Sequence, residues 1–375
     1  MSVVDRSNEG GQPADKREAR MREEFKRYYR KFEGKVYLPL FAVKTGRSYE
    51  VLDYYRHLLS QVEVMRFDYE SVDWNLADAL TRVKDSFYRL TLDHDLERVD
   101  ESANITLEND NQVLSWLVAS LPFEQFSHKQ LRVVANQVRD GLYRANPELQ
   151  GRLGLVKFIL REKVIGLIEQ ETDRQTHEAF EYLFATNKLS FALECVEARV
   201  EIPPIVELKA ARRLVRDDGD QIQQSLFDYV PDDAFNDYEK AVALYLDNCP
   251  QVLWWYRNLV GPENFKIQGY KRNRIYPDFV VQEGKPHGNE KKPIAPVLVL
   301  ESKGTHLKGN EDTKYKRSVA DYFGKVGHRV PWQKLAEDFR DNMFRVQVLD
   351  EGEYKHDDWR DKLKKLFEES AREVA

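Results

Sequence analysis

Three residues in the last third of the chain, Asp278, Glu301 and Lys303, have the types and the spacing to do chemistry. Glu301 and Lys303 close the run Val297-Leu298-Val299-Leu300-Glu301-Ser302-Lys303-Gly304, an apolar strand that ends in polar residues. Strand side chains alternate with period two, so the glutamate and the lysine project from one face. An acid and a lysine at the end of a core strand need partners, because burying either alone is costly. Upstream, Ile275-Tyr276-Pro277-Asp278-Phe279-Val280-Val281 reads as a neighbouring strand with an acid at its start, and Asp278 can approach the same spot. Two carboxylates hold a hard divalent cation, most naturally Mg²⁺, or Mn²⁺ in its place. Such an ion lowers the pKa of a bound water and neutralises charge on a scissile phosphate. The lysine orients or deprotonates the attacking water, or stabilises the developing charge. The Ser302 carbonyl, between acid and lysine, is a further candidate metal ligand. The chemistry expected of this set is metal-assisted phosphodiester hydrolysis. Pro-Asp alone, or Glu-x-Lys alone, occurs by chance; the ordered set carries the weight. The competing reading is a surface salt bridge between Glu301 and Lys303, which is worth little.

The elements that must position these residues are legible in outline. Residues 237–247 read as a helix with Glu239 near its start, a third acid for the site or a solvated helix glutamate beside Lys240. Residues 283–293 read as a polar hairpin loop with glycines and prolines. Earlier in the chain, residues 16–32 place Phe25, Tyr28, Tyr29 and Phe32 at helical spacing, and residues 36–43 read as a strand before the turn Thr45-Gly46-Arg47-Ser48. Val51, Tyr55, Leu58, Leu59 and Val62 share a helical stripe. Residues 130–144 and 153–170 carry the apolar faces Leu131, Val134, Val138, Leu142 and Val156, Leu160, Val164, Leu167, Ile168, which are core faces. Phe191, Leu193 and Cys195 alternate like a strand. Pro203-Pro204 marks a boundary. The expected organisation is a loose tail over 1–15, a mostly helical region over 16–204, and an α/β domain over 205–375 with a central mixed sheet flanked by helices.

Composition narrows the class. A chain of 375 residues has room for two or three domains. The net charge of −6 hides an asymmetry: residues 264–330 carry 14 Lys or Arg against 7 Asp or Glu, and the rest of the chain carries the opposite excess. That is how a basic binding face sits on an acidic protein. Two cysteines, Cys195 and Cys249, make no disulfide framework and read as buried free thiols of a reducing cytoplasm. No signal peptide and no membrane span are expected. No phosphate-binding loop and no dinucleotide fingerprint occurs, which argues against ATP hydrolysis by this chain. The histidines show no zinc-like pairing. Trp254, Trp255 and Tyr256 read as core residues of a helix, with base stacking as the sharper alternative.

Pro277-Asp278 followed by Glu301-Ser302-Lys303 after a hydrophobic strand resembles the PD-(D/E)xK nuclease superfamily. Tyr276-Pro277-Asp278-Phe279, Glu301-Ser302-Lys303-Gly304, Leu307-Lys308-Gly309 and Asp312-Thr313-Lys314-Tyr315-Lys316 resemble the endonuclease domain of type III restriction enzymes. So do Tyr238-Glu239-Lys240-Ala241-Val242-Ala243 and Trp254-Trp255-Tyr256-Arg257-Asn258. The similarity covers residues 226–348. More loosely, Tyr37-Leu38-Pro39-Leu40-Phe41 and the helical middle resemble the region after the helicase core of such subunits. The resemblance implies a restriction-endonuclease-like α/β domain and a Mg²⁺-dependent deoxyribonuclease of a restriction or anti-phage defence system. It implies Asp278 and Glu301 as metal ligands, Lys303 as the catalytic lysine, Glu239 as the helical acid, and Lys314 and Lys316 on the phosphate backbone of DNA. Arg272, Arg274 and Lys308 are further candidate phosphate contacts. No motor motifs precede the nuclease, so either a separate helicase or ATPase subunit is the partner, or this is a split or truncated form, or the protein works without a motor; homo-oligomerisation is compatible. The alternative function is a DNA-binding or assembly subunit whose nuclease is silent without a partner, and a third is cleavage of RNA.

Overall fold

The computed structural model describes residues 25–31, 36–76, 109–192, 195–209, 212–284, 297–303, 311–329, 344–350 and 358–373. The chain is mixed α/β. It divides into two compact units, one formed by Met1–Leu52 with Tyr182–Ala375 and the other by Asp53–Glu181.

The first unit opens with β1 (Phe25–Tyr29), β2 (Val36–Pro39), β3 (Phe41–Thr45) and β4 (Ser48–Val51). β3 and β4 form a hairpin, paired from Ala42 with Val51 to Thr45 with Ser48. Gly46 at its tip has φ +65°, a conformation that glycine adopts without strain. The strand and turn expected over 36–48 are thus present, with the strand divided at Leu40. The helix expected over residues 16–32 is corrected where it is described, because residues 25–29 are a strand. Phe and Tyr favour pleated surfaces as readily as helices, and long-range pairing decides between the two.

In the second unit the helical stripe expected from Val51 to Val62 does not form. Asp53 accepts from the Arg56 N–H at 2.8 Å and starts a π-helical turn, Tyr54–Leu58, followed by 3₁₀ turns at Leu59–Gln61 and Val64–Arg66. These short turns bring Val62, Val64, Phe67 and Tyr69 into the core, a set that no single helical face carries, and leave Tyr55 exposed. The helices α1 (Asp110–Ser120), α2 (His128–Ala145) and α3 (Lys157–Ala185) follow. Reciprocal caps set the starts of the first two: Asn109 with Gln112, and Ser127 with Gln130. Leu114, Leu117, Leu131, Val134, Val138, Leu142, Leu160, Val164 and Ile168 make one core, as the apolar faces predict. Gly141 lets Trp74 approach; a Cβ there would lie 2.6 Å from Trp74 Nε1.

The first unit resumes with β5 (Leu189–Phe191), β6 (Arg199–Ile202) and β7 (Ile205–Lys209). β5 pairs with β3, β6 with β2 and β7 with β1, all antiparallel. The strand expected over 191–195 stops at Phe191, and Pro203-Pro204 lies between β6 and β7, inside this unit. The description "mostly helical" therefore fits the described part of the second unit but not 16–204 as a whole.

Then come α4 (Asp237–Asn248), β8 (Val252–Arg257), β9 (Phe279–Glu283), β10 (Val297–Lys303), α5 (Glu311–Arg329), β11 (Phe344–Asp350) and α6 (Asp358–Glu373). The four strands form one mixed sheet in the order β11-β10-β9-β8; β8, β9 and β10 run antiparallel, and β11 runs parallel to β10. A parallel neighbour needs a crossover, and α5 lies within that connection. Trp255, Phe279, Val281, Leu298 and Leu300 share a core with Val242, Ala243 and Leu246 of α4 and Trp359, Leu363 and Phe367 of α6. Phe323 of α5 meets the rings of Phe41 and Phe191 at 5.2 and 4.5 Å. The helix expected at Trp254, Trp255 and Tyr256 is corrected to the strand β8, which suits a run of Val and aromatics. Both tryptophans are core, as expected. The free edge of β8 is covered by residues 224–226, whose Leu226 N–H donates to the Trp255 carbonyl at 2.7 Å.

Candidate functional site

Three chain segments converge where β8 ends, β9 begins and β10 ends. Arg257 is the last residue of β8, Asp278 immediately precedes β9, and Glu301-Ser302-Lys303 finish β10. The Asp278 N–H donates to the Leu300 carbonyl at 2.8 Å, one residue out of the register that pairs Phe279 with Leu300. Asp278 thus leaves the regular ladder, and its side chain reaches past Leu300 to Ser302. Its Oδ2 accepts from both the N–H and the hydroxyl of Ser302, each at 2.6 Å. Its Oδ1 accepts from Arg257 Nη1 at 3.0 Å.

Arg257 also reaches the helix side of the site. Its Nη2 donates to Glu239 Oε2 at 2.7 Å, while Nη1 and Nε donate to the carbonyls of Asp278 and Ala234 at 3.2 and 3.3 Å. The guanidinium lies 5.3 and 5.2 Å from the ring centroids of Phe235 and Phe279. The side chains of Arg257, Glu239 and Asp278 are 13, 15 and 17% exposed, so all three are partly withdrawn from water but still open to it. Glu239 stands there because Asn236 caps α4: Asn236 Oδ1 accepts from the Glu239 N–H at 2.9 Å and the glutamate returns to the Asn236 N–H at 3.1 Å.

Glu301 faces a different cation. It is buried, with 5% of its side chain exposed, and its Oε1 accepts from Lys316 Nζ of α5 at 2.7 Å. Lys316 itself is 18% exposed. Lys316, expected on the phosphate backbone, is paired here with that buried carboxylate and lies 3.5 Å from Asp312. Lys314 does lie on the exposed surface, in an ion pair with Glu311, and Arg272 and Arg274 are exposed on the loop that leads to Asp278, with Arg274 Nε donating to Gln268 at 3.3 Å. The backbone of Lys303 pairs with Asp350 in the last position of β10. Lys308 and the hairpin loop expected over 283–293, beyond Gly284, lie outside the described residues.

Asn258, which the sequence offers no local reason to single out within Trp254-Trp255-Tyr256-Arg257-Asn258, shapes the loop from 258 to 278. Asn258 is buried; its Nδ2 donates to the carbonyls of Phe265 and Pro277 at 2.9 and 2.8 Å, its Oδ1 accepts from the Phe265 N–H, and its own N–H donates to the Asp278 carbonyl at 2.9 Å. One side chain thus fixes Pro277-Asp278 against the end of β8. The loop then rests on α5: a Cβ on Gly269 would meet Tyr315 Oη at 2.5 Å, and Tyr315 donates to the Asn273 carbonyl at 3.2 Å. Arg257 and Asn258 stand in the sequence only as the end of the aromatic run Trp254-Trp255-Tyr256, which reads as a helix. No local pattern says that a strand-terminal arginine and asparagine will meet residues twenty positions away.

The donors present are hard oxygens, the class that Mg²⁺ and Mn²⁺ prefer. Asp278 and Glu301 are linked through Ser302, which touches the first and follows the second. Among the described residues no group of three or more His, Cys, Asp or Glu stands close enough together to hold a metal ion. The donors suit a hard cation in kind, but Asp278 and Glu239 are both paired with Arg257 and Glu301 with Lys316. No family model matches the chain, and no curated protein or solved structure matches it either. What the chain can do is carried by this geometry. Among the described residues no helix is long and apolar enough to cross a membrane. Both cysteines are free; burial pushes the Cys249 thiol up, whereas Cys195, expected to be buried, is half-exposed and is pushed up chiefly by its hydrogen bond to Glu197.

Proposed function

We propose that the region around β8–β11 is a metal-dependent nuclease of the PD-(D/E)xK type that hydrolyses phosphodiester bonds in DNA. The features that support this reading are the strand-terminal set Asp278, Glu301 and Lys303 and the hydrogen bonds that hold Asp278 to Ser302, at one end of a mixed sheet that has helices against it. A hard divalent cation, when bound there, supplies charge neutralisation and an activated water. Asp278 is the ligand whose orientation is most tightly set, by three donors from Arg257 and Ser302. Glu301 binds from the adjacent strand, with Lys316 beside it as a fixed positive charge. The Ser302 carbonyl is a third oxygen. Lys303 is the residue we assign to orient the attacking water or to stabilise charge on the phosphate. Arg272, Arg274 and Lys314, exposed on elements next to the site, steer the polyanionic substrate.

The resemblance noted in the sequence adds the setting. In it the protein belongs to a restriction or anti-phage defence system and works with a separate ATP-driven motor. Two free thiols fit a reducing, cytoplasmic environment. A second reading is favoured by one feature: Asp278 and Glu239 are already paired with Arg257, and Glu301 with Lys316. A site neutralised by its own side chains is what a subunit silent until a partner arrives would show.

The test is incubation of the full chain with supercoiled and linear DNA, and with RNA, in Mg²⁺, Mn²⁺ or a chelator, alongside Lys303→Ala and Asp278→Asn. Metal-dependent DNA cutting that both substitutions abolish is the expected result. Binding of DNA without cutting moves the assignment to the partner-dependent subunit. Preferential cutting of RNA changes the substrate, and cutting unchanged in both variants removes the site.

A further inference from the structure

We propose that one face of the β1–β7 ribbon, through Lys26 and the neighbouring Arg213, holds the phosphate backbone of duplex DNA. The inference rests on the nuclease reading above, which names the ligand, and places a contact with it away from the bond that is cut. Residues 25–31 hold four Lys or Arg and no Asp or Glu, in a chain whose net charge is −6. Alternation along β1 puts Lys26 and Tyr28 on one face and Arg27 and Tyr29 on the other. The two faces differ in what their cations already do. On the second, Arg27 Nε donates to Glu207 Oε1 of β7 at 2.7 Å, so that charge is compensated across the ribbon. On the first, Lys26 is exposed, and Arg213 donates to the Asp228 carbonyl, an acceptor without a full charge. The Asp228 carboxylate itself accepts from the Tyr29 N–H at 2.9 Å.

Aromatic rings place the second cation. Tyr28 and Tyr229 stack with centroids 4.0 Å apart and planes 15° apart, and the Arg213 guanidinium lies over Tyr229, 5.5 Å from its centroid. Tyr229 is thus covered by a ring and a guanidinium, so the stack is no platform for a base, which single-strand binders need. What it presents is hydroxyls and a guanidinium held by packing, the groups that contact phosphate oxygens. The ribbon is also joined to the strand that carries Arg257. The Lys31 N–H donates to the Leu226 carbonyl at 2.9 Å and the Asp228 N–H to the Tyr29 carbonyl at 3.0 Å, while the Leu226 N–H donates to the Trp255 carbonyl and the Trp255 N–H to that of Gln224. Residues 224–228 therefore bond to both β1 and β8, and the ribbon and the proposed site belong to one compact unit. Exposed cations at both places act on one polyanion, and counterion release adds over the contacts.

The experiment is fluorescence anisotropy of the full chain with labelled duplex DNA, single-stranded DNA and RNA, in a chelator that stops metal-dependent cutting, over a series of salt concentrations. Thermal melting verifies folding. Lys26→Gln and Arg213→Gln are each expected to weaken duplex binding about fivefold and to lower the slope of log K against log salt by about one. Lys26 is exposed, so its variant carries the test if Arg213→Gln does not fold. Lys209→Gln removes the same charge from the opposite face, two residues from Glu207, and is expected to change neither quantity. A folded Lys26→Gln chain that binds duplex as wild type does, or a Lys209→Gln chain weakened as much, would overturn the proposal and leave the nuclease reading to its cutting assay. A loss confined to single-stranded DNA or RNA overturns it too. Duplex binding that depends on Lys26 in a chain that cuts nothing with Mg²⁺ or Mn²⁺ upholds the ribbon and takes down the nuclease. Wild type that binds no duplex takes down the proposal whatever the cutting assay gives.

Discussion

Helix α4 carries an acid at each end, and the two are held in different ways. Asp247, in the last turn, is fully buried and accepts from Arg216 Nε at 2.7 Å, from the N–H groups of Gln223 and Gln224, and from Trp255 Nε1 at 3.1 Å. Glu239, in the first turn, shares Arg257 with Asp278 in a place that water still reaches. The donors around Asp247 are mostly backbone and indole N–H groups that nothing could displace without unfolding the loop before α4. Those around Glu239 and Asp278 are mostly side chains, grouped at the mouth of a sheet. A carboxylate saturated by fixed donors is structure. One held by movable donors, with a face left to solvent, is available for chemistry.

The comparison is tested most severely at Asp247. Asp247→Asn takes the charge from a fully buried position on which Arg216, two backbone N–H groups and the Trp255 indole converge, and we expect it to destabilise the first unit by about 3–5 kcal/mol. Urea unfolding reads this directly. Arg257→Ala removes the corresponding partner at the other end, but the acids it leaves are partly hydrated, so the expected loss is smaller, about 2 kcal/mol. If Arg257→Ala proved as costly as Asp247→Asn, the distinction between the two ends would collapse and Arg257 would be as structural as Arg216.

Much of this was legible in the sequence, and the omissions have a common cause. The apolar faces of α2 and α3, the strand-terminal Glu301-Ser302-Lys303 and the acid before β9 all declare themselves within a few residues, because local periodicity and local chemistry coincide there. The aromatic residues within 16–32 and at Trp254-Trp255-Tyr256 suit a helix or a strand equally, and strand partners as far away as residues 205–209 decide for the first. Arg257, Asn258 and Lys316 were underrated for the same reason. Each acquires its role only when β8, the loop after it and α5 are brought to the ends of β9 and β10.

Asp232 offers an intermediate case and the mildest test. It lies just before α4, largely buried, and accepts from Lys240 of α4 at 2.5 Å and from Arg212 Nε at 2.9 Å. The hydrogen bond from Lys240, and next that from Arg212, hold its carboxyl below the usual carboxylate range. A carboxyl whose folded pKa is depressed stabilises the fold at pH values above its unfolded pKa, near 4, and that contribution is lost as the pH falls through the folded value. Arg212 is exposed, so the gain is expected to be only about 0.5–1 kcal/mol. Asp232→Asn should therefore lower the urea midpoint slightly at pH 6 and converge with wild type toward pH 2. A difference that persisted undiminished in acid would mean that Asp232 acts through shape and neutral hydrogen bonds, as a smaller version of Asp247, and not through its charge.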